Sequence, residues 1–307
     1  MAAPGIPNEY ALSTSCFGAR LATIQDQIFA AVGMGFRRLE LGLVSAPPSM
    51  EGLEESQRET GMEIPVLVVG CRDPLNGAPM ACERLGSMDD EEWERAINSV
   101  RRHVRLARLW GAKTVVLRGS KVENKKVEKR VAKMRERLAA EPMCSELGEA
   151  MAEMSAANQR DSQKQVEQFC RALHRIMGES PDVEFAIEPG RGLDDLLGFE
   201  AVGWVLDDLK SKGLKYWHDV GHVHLRQVMG LAHQGAWLDA YATSLAGIHL
   251  QDAANDAVEM PVGLGEVDFK LLHEYLPKTA ERVVEIGERH GRAEILASVQ
   301  YLVDNGF

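Results

Sequence analysis

The sequence predicts an α/β protein, a (β/α)8 barrel formed by residues 1–307 as one domain, with a helical insertion after the fourth strand at residues 121–160. Three observations predict it. Short apolar or β-branched runs bounded by turn residues recur along the chain, stretches with apolar residues at helical spacing lie between most of them, and the runs number eight. Eight alternating units point to a closed barrel rather than an open doubly wound sheet. The predicted strands, in order, are Tyr10–Ser15, Arg37–Leu41, Ile64–Val69, Thr114–Leu117, Val183–Glu188, Leu214–Asp219, Ala246–Leu250 and Arg282–Ile286. Amphipathic helices are expected at Leu21–Val32, Asp89–Trp110, Val166–Met177, Ala201–Lys210 and Arg292–Val303. Residues 121–160, rich in Lys, Glu, Met and Ala, lengthen the fourth connection well beyond one crossover helix. Their charge pattern reads most simply as a solvated helix face. A lid over the barrel mouth or a contact in a homo-oligomer is the sharper alternative, because the insertion follows a strand's C-terminal end.

A chain of 307 residues, 45% hydrophobic and 26% charged, can bury a large core. The first ten residues carry no basic run leading into an apolar stretch, and no segment has the length needed to span a bilayer, so a cytoplasmic protein without a membrane partner is expected. The five cysteines, Cys16, Cys71, Cys82, Cys144 and Cys170, are scattered and never form Cys-x-x-Cys, which suits reduced thiols and neither disulfides nor a thiolate zinc site. With 35 basic and 46 acidic residues the formal charge is -11, which disfavours nucleic acid as a partner.

Four runs carry polar residues where a barrel strand meets its functional face. Val183–Glu188 ends on a carboxylate just before Pro189-Gly190. Tyr216-Trp217-His218-Asp219-Val220-Gly221-His222 delivers an Asp and then a Gly-His, and Gly221 is expected to let the backbone turn so that Asp219 and His222 both face the mouth. His218 alternates away from Asp219, and it and His224 read as structural. His249 lies between Ile248 and Leu250, which would point to the helices, so His249 points inward; Glu285, between Val284 and Ile286, does the same. Each has a bland reading: a solvated strand-end acid or a hydrogen-bonded core histidine. Together they stand at one height on strands five to eight. Three carboxylates buried side by side raise one another's pKa and lose hydration, a conflict that a divalent cation resolves. Three carboxylates and an imidazole suit one ion of Mn²⁺, Mg²⁺ or Co²⁺ better than Zn²⁺. Location alone adds Arg118 and Glu40, at the ends of strands four and two, and Asp194 and Asp252, in loops after Glu188 and His249, as substrate-binding candidates. A salt bridge is the alternative for each. Gly263-Leu264-Gly265 reads as a turn, and Asp268 as a helix N-cap.

Five segments in this order, Ile187-Glu188-Pro189, Asp219-Val220-Gly221-His222, Ile248-His249-Leu250-Gln251-Asp252, Gly263–Phe269 and Val284-Glu285, resemble the xylose isomerase-like TIM barrel superfamily. That group includes sugar phosphate isomerases and epimerases, ketose 3-epimerases, hydroxypyruvate isomerase, inosose dehydratase and endonuclease IV. The resemblance covers nearly the whole chain outside 121–160. It implies that Glu188, Asp219, His249 and Glu285 are metal ligands, that Glu188 and Glu285 are also the catalytic acid/base pair, and that His222 contacts substrate oxygens.

It further implies a small carbohydrate-like substrate and proton abstraction next to a carbonyl. Isomerisation or epimerisation, or dehydration and lyase chemistry on a keto-sugar or keto-inositol, can follow from the same intermediate. Two departures matter. Strand four ends Leu117-Arg118, where the DNA repair branch has a ligand histidine, which argues against a trinuclear zinc nuclease. Near Asn255 the ketose 3-epimerases carry an Arg, which argues against simple ketose epimerisation. A barrel without catalysis, serving as a binding protein, is the remaining alternative. The paired buried acids argue against it.

Overall fold

A computed structural model of the protein describes residues 5–44, 46–71 and 84–307. Eight parallel strands form the barrel: β1 (Tyr10–Ser13), β2 (Leu39–Glu40), β3 (Val66–Val68), β4 (Thr114–Arg118), β5 (Glu184–Glu188), β6 (Lys215–Asp219), β7 (Leu245–Leu250) and β10 (Glu281–Val284). Their order is β2-β1-β10-β7-β6-β5-β4-β3. Backbone bonds Leu39 N to Glu63 O (2.9 Å), Leu41 N to Val66 O (3.1 Å) and Val68 N to Leu41 O (2.9 Å) bring β2 against β3 and close the ring. All eight predicted strands are present, several shorter by one or two residues at an end.

The period of two along each strand sorts side chains between an outer layer under the helices and a packed interior. Ala11, Val66, Val68, Val116, Ala186, Trp217 and Val283 fill that interior. Trp217 is its bulkiest member and is fully buried. It fits because β7 carries Gly247 opposite, where a Cβ would lie 2.3 Å from the indole ring. The next inward position on each strand, one level up, belongs to the functional face.

The crossover helices begin and end on local signals. Helix α1 (Ile24–Met34) starts at Thr23, whose hydroxyl accepts from Asp26 N, and stops at the left-handed Gly35. Helix α3 (Asp90–Trp110) is capped by Asp89 and ends at Gly111. Helix α6 (Phe199–Asp208) and the terminal α10 (Arg292–Asp304) match expectation closely. Four short helices are additional: α2 (Leu53–Thr60), α7 (Val220–Val228), α8 (Gln234–Tyr241) and α9 (Phe269–Tyr275), the last capped by Asp268. After β7 the chain also forms a hairpin, β8 (Asp252–Ala254) with β9 (Ala257–Met260).

The insertion is α4 (Lys125–Ala140) and the first half of α5 (Ser145–Glu179). At 35 residues α5 spans about 52 Å, and its second half is the crossover helix expected at Val166–Met177. The expected solvated face covers only part of α4, because Val127, Val131 and Met134 are buried, opposed by Leu147, Met151 and Met154 of α5. Lys121 and Arg135 tie the insertion to Asp194 and Asp195 in the loop after β5. Among the described residues Cys16, Cys144 and Cys170 are free thiols, while Cys82 lies outside them. No helix among the described residues is long and apolar enough to cross a membrane.

Candidate metal centre

Glu188 and Asp219 are the last residues of β5 and β6, His249 is the last but one of β7, and Glu285 follows β10 directly. Because each continues the inward alternation of its strand, the four converge. His249 Nδ1 lies 3.3 Å from Glu285 Oε2, 3.5 Å from Asp219 Oδ2 and 3.9 Å from Glu188 Oε2. Glu188, Asp219 and His249 are at most 2% exposed, while the Glu285 side chain, 16% exposed, looks into the cleft. Donor atoms of Glu188, Asp219 and His249 lie within 4.8 Å of one another, as do those of Glu40, His249 and Glu285.

Asp219 has two roles. Its Oδ1 caps α7 by accepting from His222 N at 2.8 Å, and Oδ2 faces His249. Gly221 is needed for a reason other than the one expected. Its φ is not left-handed, and it stands in the first turn of α7, where a Cβ would meet Gln251 Oε1 at 2.3 Å. The glycine makes room for Gln251, whose Nε2 donates to Asp219 Oδ1 at 3.2 Å.

His222 packs beside Glu188. Its Nδ1 is 2.9 Å from both Pro189 O and Glu188 Oε1, and Arg118 Nη2 donates to its Nε2 at 2.8 Å. A guanidinium only donates, so Nε2 accepts and Nδ1 carries the proton. Arg118 Nη2 is also 3.3 Å from Glu188 Oε1.

These contacts divide the acids electrostatically. Burial works to raise the carboxyl of Glu188, but Arg118 and His222 outweigh it and hold it below the usual range. Burial likewise opposes ionisation of Asp219, and His222 and His249 more than compensate. Glu285 receives too little compensation: burial, then Asp219, Glu40 and Glu188, push it up to about 7 against the pull of His249. Burial disfavours charge on His249, yet Glu285 and Glu40 hold its pKa well above the ordinary value. Without a cation the cluster therefore keeps protons on His249 and, in part, on Glu285.

The other expected positions are placed differently. Arg118 and His222 line a cleft of about 350 Å³ together with Asp219, Glu285, Arg191, Gln251, Glu259 and Glu288. Glu40, Asp194 and Asp252 are not among its lining residues. Glu40 is fully buried behind the cluster with Oε2 2.9 Å from His249 Nε2. Asp194 is ion-paired with Lys121 and Arg135. Asp252 accepts from Ala253 N, Gly263 N and Val267 N, which makes it the organiser of the Gly263–Gly265 turn. That turn is formed as expected, and Asp252 occupies the Gly263 amide. His218 bonds Tyr216 Oη and Gln234 Oε1, both at 2.7 Å, and burial pushes it down to about 4, so it is a neutral core residue.

Sequence reasoning passed over Gln251, Arg191, Glu259 and Glu288. Gln251 alone had a signal, its place in the Ile248–Asp252 segment; Glu259 is brought in by backbone geometry that its sequence does not announce. Glu259 has φ +57° without being glycine, its N donates to Gln251 Oε1 at 2.7 Å, and its O accepts from Gly287 N at 2.9 Å.

Fold and centre together define a (β/α)8 barrel with an acid-and-imidazole cluster at the C-terminal mouth, whose donor atoms lie close enough together that they could hold a metal ion. The chain belongs to the xylose isomerase-like TIM barrel family, which matches residues 28–302. Among solved structures it is similar to a D-tagatose 3-epimerase-like protein (14% identity, TM-score 0.64, 96% of each chain covered). It is also similar to 3-keto-D-glucoside 4-epimerase from E. coli (15%, 0.59, covering 97% of this chain and 100% of that one). Endonuclease IV from Thermus thermophilus matches at 15% identity and a TM-score of 0.59, covering 97% of this chain and 98% of that one. At these identities the likeness shows the fold. No curated protein matches the sequence.

Proposed function

We propose that this protein is a divalent-metal-dependent isomerase or epimerase that acts on a sugar or related hydroxy-carbonyl compound by moving a proton on the carbon next to the carbonyl. The observation that carries the proposal is the convergence of Glu188, Asp219, Glu285 and the buried His249 Nδ1, which has no hydrogen-bond partner among the described residues, on one point at the base of the cleft. Three carboxylates and one imidazole fit a hard cation, Mn²⁺, Mg²⁺ or Co²⁺ ahead of Zn²⁺. Bound there, it would act as a Lewis acid on a substrate carbonyl and acidify the neighbouring C–H.

The chain's own residues divide the remaining work. Glu285 opens into the cleft, and its carboxyl, poised near neutrality in the metal-free protein, is suited to take and return a proton. Glu188, held ionised by Arg118 and His222, is the second proton-transfer group. His222 and Arg118 line the same cleft as substrate contacts, the Arg118 guanidinium supplying the donors to substrate oxygens and His222 Nε2 an acceptor. Expulsion of a β-hydroxyl instead of reprotonation would turn the same site into a keto-sugar or keto-inositol dehydratase.

The test is elemental analysis of the purified protein, followed by a screen of ketoses and keto-inositols for exchange of a carbon-bound proton with deuterated water, with abasic DNA as counter-screen. One bound ion and exchange are expected. A folded protein with neither would sink the proposal, and three zinc ions with DNA cleavage would replace it.

A further inference from the structure

We infer that Glu40 is a positioning residue, whose buried carboxylate holds the proton of His249 on Nε2 and so aims the Nδ1 lone pair at the Glu188–Asp219–Glu285 cluster. The inference rests on the metal-dependent reading above and assigns a role to a residue that the cleft does not contain.

Glu40 ends β2, three strands away from β7 in the sheet order, with β1 and β10 between them. Its bond to His249 Nε2, at 2.9 Å, therefore runs through the barrel interior and not along the sheet. On the intervening β1, the residue registered with Glu40 is the small Ser13. Past β2 the backbone closes down on the carboxylate at Gly42, where a Cβ would lie 2.9 Å from Glu40 Oε1 and 2.1 Å from Ser13 Oγ. Glu40 is thereby shut off from solvent, with 0% exposure, and Oε1 has no hydrogen-bond partner among the described residues.

A carboxylate buried this deeply is costly, and one hydrogen bond does not satisfy it. For packing alone, an apolar side chain of similar volume would be the cheaper occupant. What the carboxylate adds is direction. Imidazole coordinates a cation only through an unprotonated nitrogen, and which nitrogen that is depends on the hydrogen bond made by the other one. The remaining ring neighbour, the edge of Trp217 at 5.1 Å between centroids, holds the plane of the ring but does not choose between its nitrogens. With Glu40 accepting from Nε2–H, Nδ1 is the free donor, and Nδ1 is the atom that faces the three acids.

The experiment compares the wild type, Glu40→Gln and Glu40→Met in the full chain, reading Mn²⁺ affinity by calorimetry, the ¹⁵N resonances of His249 with diamagnetic Mg²⁺ bound, where the ring is neutral, and the thermal midpoint. Glutamine keeps a neutral acceptor, so the Nε2–H tautomer is expected to persist while Mn²⁺ binds about 10- to 100-fold more weakly. Methionine fills the space without an acceptor, so the tautomer preference is expected to be lost and affinity to fall further. Unchanged Mn²⁺ affinity and an unchanged His249 spectrum in both variants would overturn the role of Glu40 and leave the metal reading standing. Failure of the wild type itself to bind Mn²⁺ would overturn both, and is told apart by that control. If Glu40→Met does not fold, Glu40→Gln decides alone.

Discussion

At the scale of single residues, the four acids and histidines of the centre differ in what their removal should do. Glu285→Gln keeps the shape of the side chain but not its ability to take a proton. It is expected to leave the protein folded and to lower carbon-bound proton exchange by at least about 100-fold, the low end for a general base. His218→Ala should behave in the opposite way. It strands Gln234 Oε1 and the Tyr216 hydroxyl in a buried setting, at about 1–3 kcal/mol for such a group, so the denaturation midpoint falls while exchange in the surviving folded protein continues. Equal loss of exchange in the two variants would mean that the inward and outward faces of β6 and β10 had been confused. Alternation along a strand made these faces legible from the sequence: His249 and Glu285 sit between apolar residues that face the helices, and Asp219 alternates with the outward His218. Glu40, Asp194 and Asp252 were not legible in the same way. A strand-end or loop position says nothing about a partner 209 residues away, such as His249 is for Glu40, or about backbone amides waiting in a later turn, as for Asp252.

At the scale of elements, the strands were readable because each is buried on both faces and so stands out as an apolar run. The helices α2, α7, α8 and α9 span only seven to nine residues, too short for an apolar stripe to repeat. The β8–β9 hairpin was missed because Ala253-Ala254-Asn255-Asp256-Ala257 carries little alternation, and what holds it comes from outside. Gln251 bridges Asp219 Oδ1 and Glu259 N, so the hairpin's strained residue is fastened to the centre itself. Gln251→Ala should release Glu259, seen as faster amide exchange and proteolysis within residues 252–260, at about 1–2 kcal/mol of stability for the two bonds lost. Protection equal to wild type would show that the contact of Glu259 O with Gly287 N suffices. Gly247→Ala tests the floor of the site. A methyl group at 2.3 Å from Trp217 forces the indole or β7 to move, for which about 1–3 kcal/mol of destabilisation is expected in a denaturant titration. No change in the midpoint would mean that the interior has slack the packing does not show.

For the molecule as a whole, the acid cluster ties stability, protons and cation into one equilibrium. In the metal-free protein the carboxyl of Glu285 is raised from 4.5 to about 7, and His249 is raised above 6.5. A group with a raised folded-state pKa contributes stability that is fully present below its unfolded value and is lost as pH rises through the folded one. Both groups thus act in the same direction, and the metal-free protein should lose stability between pH 4.5 and about 7 from Glu285, with His249 extending the loss upward. A divalent ion bound as proposed would reverse the balance, because it would need Glu285 ionised and Nδ1 bare. Binding should release protons, and Mn²⁺ affinity should rise from about pH 6 to about pH 8. At a thousandfold excess over Kd the ion contributes about 4 kcal/mol to the folded state. Thermal melts at about pH 6 and about pH 8, with Mn²⁺ or with chelator, therefore check one coupled prediction: the gap between loaded and stripped protein should be wider at the higher pH. A gap that is constant, or wider at the lower pH, would show that the cation does not displace protons from this cluster, and the centre would then have to be sought elsewhere in the cleft.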